Sequence, residues 1–175
     1  LNYNENDLKI KYRNLTVLWN VHKYLIDYCN LFGINPSKID DKIFIPGTEE
    51  KYILSKLNST IKKATEMFEE YRIDEVPILL EELFLELSRT YIKLTREKMQ
   101  EEKELVINTI SKVLFESLKM LTPFVPFITE KIYQNMRHAF GLELESISFY
   151  PWPDADESLI NPDVEKSFVF MSSLI

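Results

Sequence analysis

Apolar residues recur at alternating three- and four-residue spacing through five separate stretches of this 175-residue chain. That period is typical of α-helices with one buried face, and it disfavours β-strands, in which every second residue is apolar. The five predicted helices cover residues 6–32, 48–71, 74–94, 107–121 and 126–140. Stripes of this kind favour shallow crossing angles between neighbouring helices. The sequence therefore predicts an all-α protein, an antiparallel bundle with about five helices.

Residues that begin and end helices lie at the expected positions. Asn6 or Asp7 can cap the first helix, and Gly33 lies where that helix should end. Asp74 is expected to cap the third helix, with Pro77 in its first turn, where a missing backbone donor costs little. The chain has only 3 glycines, which leaves few tight turns between these helices.

Two prolines interrupt the helical pattern in residues 122–136, TPFVPFITEKIYQNM. The residue before a proline disfavours helical backbone angles, so the fourth helix should stop at Thr122. Pro126 should then begin the fifth helix, and we expect Phe124 and Phe127 to fill the corner between the two. After Gly141, the stretch LESISFYPWPD changes to a short extended pattern. It predicts a strand or a strap that closes the bundle.

Composition excludes several classes of protein. Hydrophobic residues make up 45% of the chain, which excludes a disordered tail, and no apolar run approaches the length of a membrane span. The net charge of −7 argues against strong electrostatic binding of nucleic acid by this segment alone. Its one cysteine, Cys29, cannot form an internal disulfide, as is usual in a reducing compartment.

No active site is visible in the sequence. The two histidines, His22 and His138, are far apart, and no group of Cys and His has metal-ligand spacing. Neither a glycine-rich phosphate loop nor a nucleophile motif occurs. A free-standing small enzyme is therefore disfavoured, and the choice lies between a binding module and a structural one.

Two groups of polar and basic residues could form a nucleic-acid surface. One lies on the first helix around Trp19, and the other lies on one face of the third helix. Such ridges could contact phosphates while Trp19 stacks on a base. The alternative is a solvated helix face with Trp19 in the core, which we favour for Trp19. The residues concerned are Lys9, Lys11, Arg13, Asn20 and Lys23 in the first group, and Arg89, Lys93 and Arg96 in the second.

Five motifs occur in a recognisable order along the chain. They are VLWNVHKYLIDY (17–28), EEKYILSKLNSTIKKATEMFEEYRIDE (49–75), ELSRTYIKLTREK (86–98), LKMLTPFVPFITEKIYQNM (118–136) and SISFYPWP (146–153). Together they resemble the anticodon-binding helical domain of the class I aminoacyl-tRNA synthetases for isoleucine, valine, leucine and methionine. The chain is most similar to the isoleucyl enzymes of archaeal and eukaryotic type. Thr90 departs from the Trp that the family commonly places there, and the valyl enzymes remain the alternative.

The resemblance implies a function for the segment. The parent enzyme would ligate isoleucine to its tRNA with ATP, while this domain holds the anticodon stem-loop. The segment itself would carry no catalytic residue and no cofactor, and ATP and zinc would belong to other domains. Expected partners are tRNA and the rest of the synthetase, in the cytoplasm and away from membranes. In this interpretation Asn20 reads a base edge, and the cations position phosphates. The candidate tRNA-binding residues are Arg13, Asn20, Lys23, Arg89, Lys93 and Arg96.

The first and last residues of the chain indicate a piece of a longer protein. It begins at Leu1 and ends within EKSFVFMSSLI. We expect residues 1–153 to form the anticodon-binding bundle, and residues 154–175 to be a linker and the start of a C-terminal region. A helical protein-interaction module without RNA binding is the alternative of a different class. Its mark would be an exposed apolar patch in place of a positive one.

Overall fold

Seven helices make up the chain in a computed structural model, which describes residues 4–39 and 45–172. The all-α bundle is confirmed, and seven helices replace the five predicted. The two additional helices are a short one, Lys98–Glu101, and a C-terminal one, Pro162–Ser172. The three- and four-residue spacing of apolar residues is weakest in these two stretches. The helices are α1 (Glu5–Phe32), α2 (Thr48–Glu69), α3 (Val76–Glu86, continued by a π-helical segment Leu87–Tyr91 and by Ile92–Leu94), α4 (Lys98–Glu101), α5 (Lys103–Leu121), α6 (Pro126–Phe140) and α7 (Pro162–Ser172).

The helix ends follow the sequence signals with small shifts. Gly33 ends α1 in the left-handed conformation, at φ 66°, as predicted. The cap of α1 was predicted at Asn6 or Asp7, which is wrong: the Asn4 side chain accepts the capping bond from the Asn6 amide, and the helix begins at Glu5. Asp74 does not cap α3: Glu75 precedes its first residue and makes no side-chain capping bond.

Helices α1, α3 and α6 run in one direction, and α2 and α5 run in the opposite direction. Lys11 pairs with Glu81 near the start of α1 and α3, and Arg96, just past the end of α3, lies near Tyr24 further along α1. Helix α5 packs against α1, α2, α3, α4 and α6, and its inward face is fully buried. Helix α1 therefore packs against three helices, α3, α5 and α6. Within the described residues no helix has the length and apolar character needed to cross a membrane.

The proline corner between α5 and α6 forms where it was predicted. Helix α5 ends at Leu121, and Pro126 is the first residue of α6. Phe124 packs against the core, with its ring centroid 5.9 Å from that of Phe68. The prediction for Phe127 was wrong: this side chain is 91% exposed. A corner of four residues has room for one inward aromatic ring, and Phe127 lies on the outer side of the first turn of α6.

The C-terminal part crosses the bundle as a strap. Residues 146–161 are largely extended, with 3₁₀ turns at Ile147–Phe149 and Glu157–Leu159, and none of the described residues forms a β-strand. The Trp152 indole donates to Thr65 Oγ1 at 2.9 Å, which ties the strap to α2. Helix α7 then packs on α2, where Phe168 stacks on Tyr52 at 4.2 Å. The division of the chain at residue 153 stays a prediction.

Candidate RNA-binding surface

The six residues singled out in the sequence all lie exposed, on α1, on the second half of α3 and in the turn that follows it. On α1 these are Arg13, Asn20 and Lys23; on α3 they are Arg89 and Lys93; Arg96, predicted on the same helix, lies in the turn after Leu94. Within residues 4–39 and 45–172, no carboxylate lies within ion-pair distance of the five cations among them. Two further cations of the first helix are instead neutralised, because Lys9 pairs with Glu5 at 2.8 Å and Lys11 with Glu81 at 3.0 Å.

The π-helical segment Leu87–Tyr91 sets the direction of the α3 cations. One extra residue in this turn keeps Leu87 and Tyr91 fully buried, while Arg89 and Lys93 face solvent. The Tyr91 hydroxyl donates to Glu50 Oε1 at 2.9 Å, and Lys98 donates to Glu50 Oε2 at 2.6 Å. The segment is therefore fixed on its inner side by a buried carboxylate at the start of α2.

Arg96 approaches the aromatic side chains of α1 where α1 and α3 run side by side. Burial raises the pKa of Tyr24, the neighbouring Tyr28 adds to this, and the positive charge of Arg96 opposes it. Arg96 thus lies close enough to the α1 ring to act on it electrostatically. Arg96 and the aromatic side chains of α1 are therefore neighbours on the surface.

A row of half-buried aromatic rings follows this junction along α1. The ring centroids of Tyr24 and Tyr28 are 4.3 Å apart, and those of Tyr28 and Phe32 are 5.8 Å apart. Lys103 Nζ lies 5.2 Å from the centre of the Phe32 ring. Aromatic faces flanked by cations are the usual means of holding unpaired bases, because stacking and phosphate contacts act together. The sequence analysis did not include these rings among the candidate residues, although their four-residue spacing was visible.

A groove opens on the other side of α1, between this helix and α6. Its volume is about 560 Å³, within the range of small-molecule pockets. Trp19 is half-buried: it packs against the core, as favoured from the sequence, and it also lines the groove, while its stacking on a base stays a prediction. The lining residues are Trp19, His22, Lys23, Ile26, Asp27, Asn30, Asn135, His138 and Ala139.

A buried histidine anchors the floor of the groove. His22 is 1% exposed, its ring packs edge-on against Trp19 at 4.5 Å, and its Nε2 lies 3.1 Å from Asn135 Nδ2. Burial lowers the pKa of His22, and the Trp19 backbone carbonyl opposes this by favouring a proton on the ring. We therefore assign a neutral ring with its proton on Nδ1, so that Nε2 accepts from the Asn135 amide.

Comparison with known proteins decides the family. The family model for the anticodon-binding domain of tRNA ligase matches residues 50–175, well over half of the chain. The chain belongs to this family of anticodon-binding domains. The matched range leaves out α1, which carries half of the candidate residues.

Curated relatives of this anticodon-binding domain extend the similarity over α1. It is 33% identical to the isoleucine–tRNA ligase of Thermococcus kodakarensis over 93% of this chain, and 35% identical to that of Clostridium tetani over 87%. The isoleucine–tRNA ligase of Methanoculleus marisnigri is 32% identical over 99% of the chain. The chain spans only 15% to 18% of the length of these relatives.

Proposed function

We propose that this anticodon-binding domain is the part of an isoleucine–tRNA ligase that holds the anticodon stem-loop of its tRNA. The parent enzyme would activate isoleucine with ATP and esterify it to the tRNA in other domains, which would also carry any zinc. The cytoplasm is the expected compartment. Asn20 and the aromatic row would contact bases, and the cations would contact phosphates.

The observation that carries the proposal is the surface formed by α1 and α3. Five cations on or next to these helices are free of carboxylate partners among the described residues, and one of them, Arg96, lies near the row Tyr24, Tyr28 and Phe32. An anticodon is a single-stranded loop whose bases can be splayed and stacked on such rings. The net charge of −7 does not oppose this, because attraction to RNA depends on the local distribution of charge.

The names of the relatives favour a parent enzyme for isoleucine over one for valine. The three relatives described above are each named isoleucine–tRNA ligase, and the similarity covers at least 87% of this chain in each of them. The valyl alternative would predict equal or better binding of a valine anticodon stem-loop. This difference can be measured directly.

A binding titration tests the proposal. Fluorescent stem-loops with isoleucine and valine anticodons are titrated with the 175-residue chain at 50 and 200 mM salt. We expect salt-dependent binding that prefers the isoleucine stem-loop. The variant Arg89→Ala/Lys93→Ala/Arg96→Ala should lower the slope of log affinity against log salt by about 2, because each lost phosphate contact contributes about 0.7.

A matched variant separates local contacts from a general change of charge. Lys51→Ala/Lys63→Ala/Lys166→Ala likewise removes three exposed positive charges, on α2 and α7, and should leave both affinity and slope nearly unchanged. Equal losses in the two variants would contradict a defined surface. Absence of binding to either stem-loop at low salt would contradict the proposal and favour an interaction module without RNA.

A further inference from the structure

We propose that the groove between α1 and α6 receives one unstacked nucleobase of the bound RNA, with the Asn135 amide hydrogen-bonded to the edge of that base. This inference rests on the proposed function, because it assumes that the domain binds an RNA loop. It adds a second site to the surface formed by α1 and α3, on the opposite side of α1. Neither His22 nor Asn135 was among the candidates from the sequence.

The groove has the size and lining of a site for a planar heteroaromatic ring. Its volume of about 560 Å³ exceeds what one nucleobase needs, and it remains open to solvent along one side. Trp19 and Ile26 supply apolar walls, while Lys23 and His138 also border it. A base could therefore enter with its face against Trp19, and the phosphate that follows it could reach Lys23.

The polar group in the groove is held in a fixed orientation. His22 is 1% exposed, and with its proton on Nδ1 its Nε2 can only accept, so the Asn135 Nδ2 donates to it at 3.1 Å. This bond turns the Asn135 carbonyl away from His22. The carbonyl oxygen makes no hydrogen bond within residues 4–39 and 45–172, and Asn135 is only half-buried.

The remaining donor and acceptor of Asn135 match the edge of a nucleobase. One N–H is used by His22, which leaves the second N–H and the carbonyl oxygen side by side. Each of the four RNA bases presents an adjacent donor and acceptor on its Watson–Crick edge, and an asparagine amide can pair with them in two bonds. A peptide side chain offers such a pair only from Asn or Gln, so a base is the better match.

The second ring nitrogen of His22 also supports the proposed role of the contact between His22 and Asn135. His22 Nδ1 is buried without a hydrogen bond of good geometry among the described residues, although the Trp19 carbonyl is near it. A buried polar atom left in this way costs free energy, so its presence calls for an explanation. Here the explanation is that His22 positions Asn135.

The inference is tested with a cycle of protein and RNA changes. Isoleucine anticodon stem-loops with a single abasic site at each loop position in turn are titrated with wild-type chain and with Asn135→Ala. We expect Asn135→Ala to bind the intact loop about tenfold more weakly, as for loss of one two-bond base contact. At one abasic position the wild type should lose a similar factor, and Asn135→Ala should then bind no more weakly than wild type.

A control outside the groove and a salt series separate this inference from the proposed function. Asn6→Ala removes an exposed asparagine amide in the first turn of α1, about 24 Å along the helix from His22, and it should not change affinity. The loss in Asn135→Ala should be the same at 50 and 200 mM salt, unlike the loss from the α3 cations. Circular dichroism checks that both variants fold.

Two results would overturn the inference. If Asn135→Ala binds the intact loop as tightly as wild type, while the α3 variant binds weakly, the groove is no base site and the proposed function stands. If Asn135→Ala weakens every abasic loop by the same factor, Asn135 acts on the fold and contacts no base. Failure of wild type to bind any loop would overturn the proposed function, and this inference with it.

Discussion

Replacement of Lys98 by methionine should lower the stability of the fold, because it leaves a buried carboxylate without its positively charged partner. Glu50 is 0% exposed and accepts three hydrogen bonds, from Lys98 Nζ at 2.6 Å, from Tyr91 Oη at 2.9 Å and from the Gly47 amide at 3.0 Å. Lys98→Met keeps the length of the side chain and removes the only one of these donors that carries a full positive charge. The carboxylate then remains buried with two neutral donors.

The expected loss of stability follows from the burial of the two partners. Breaking a fully buried ion pair from one side costs about 3–5 kcal/mol. The side chain of Lys98 is 19% exposed, and two donors to Glu50 remain, so we expect about 2–3 kcal/mol. For a chain of this length, that corresponds to a fall in Tm of roughly 5–10 °C.

Urea unfolding followed by circular dichroism measures this loss, with Lys11→Met as the matched control. Lys11 also pairs with a glutamate, Glu81, but its side chain is 53% exposed, so its loss should cost less than about 1 kcal/mol. Glu50→Gln in the Lys98→Met background should recover part of the stability, because it removes the unpaired charge. Equal losses from Lys98→Met and Lys11→Met, or further destabilisation by Glu50→Gln, would refute the buried-charge argument.

Three further predictions concern stability. Phe124→Ala should lower the free energy of unfolding in urea by about 2 kcal/mol, because the ring is half-buried against Phe68. Phe127→Ala should change it by less than about 0.5 kcal/mol, because that ring is exposed. Equal losses in the two variants would contradict the structure of the corner between α5 and α6. Tyr71→Gly should raise stability by about 0.5–1 kcal/mol, because Tyr71 holds φ 60° while 87% exposed, and a loss would show that its ring contributes contacts. Partial burial raises the pKa of Glu130, but bonds from Gln134, Ser146 and a backbone amide outweigh it and lower the pKa. The stability that the ionised Glu130 contributes to the fold is therefore present above the unfolded carboxyl pKa of about 4.3, and it is lost as pH falls through the lower pKa of the folded state. The difference in the free energy of unfolding between wild type and Glu130→Gln should close between about pH 5 and 3. A difference that stays constant with pH would contradict this.

The helical elements were predictable because local rules determine them. Glycine at φ 66° ends α1 at Gly33, and a proline without an amide hydrogen begins α6 at Pro126. These preferences act within a few residues, and no tertiary contact needs to be known. The apolar stripes likewise predicted the buried faces along the middle of the helices, whereas stripe residues near the helix ends, Leu8, Tyr12, Tyr71 and Leu94, are exposed.

Features that depend on tertiary contacts could not be predicted. Glu50 in the first turn of α2 looks like an ordinary acidic residue near a helix start, and only the approach of Tyr91 and Lys98 buries it. The π-helical segment that contains Tyr91 leaves no mark in the three- and four-residue spacing. Phe124 and Phe127 are equally apolar, and the direction of the corner alone decides which one is buried.

The candidate surface was only partly visible in the sequence for the same reason. Arg89, Lys93 and Arg96 share a face by spacing alone, and the structure leaves them exposed. The pairing of Asn135 with His22 joins residues 113 positions apart and has no local signal. Sequence thus predicted the charged side of the surface and missed the groove.

The most direct test of the central claim is to map the bound RNA on the domain. Amide resonances of the ¹⁵N-labelled chain are followed while the isoleucine anticodon stem-loop is added. We expect the largest shifts along α1, in the second half of α3 and near Asn135 of α6, with α2 and α7 little changed. Shifts confined to α2 and α7, with α1 unaffected, would contradict the assignment of this surface to RNA.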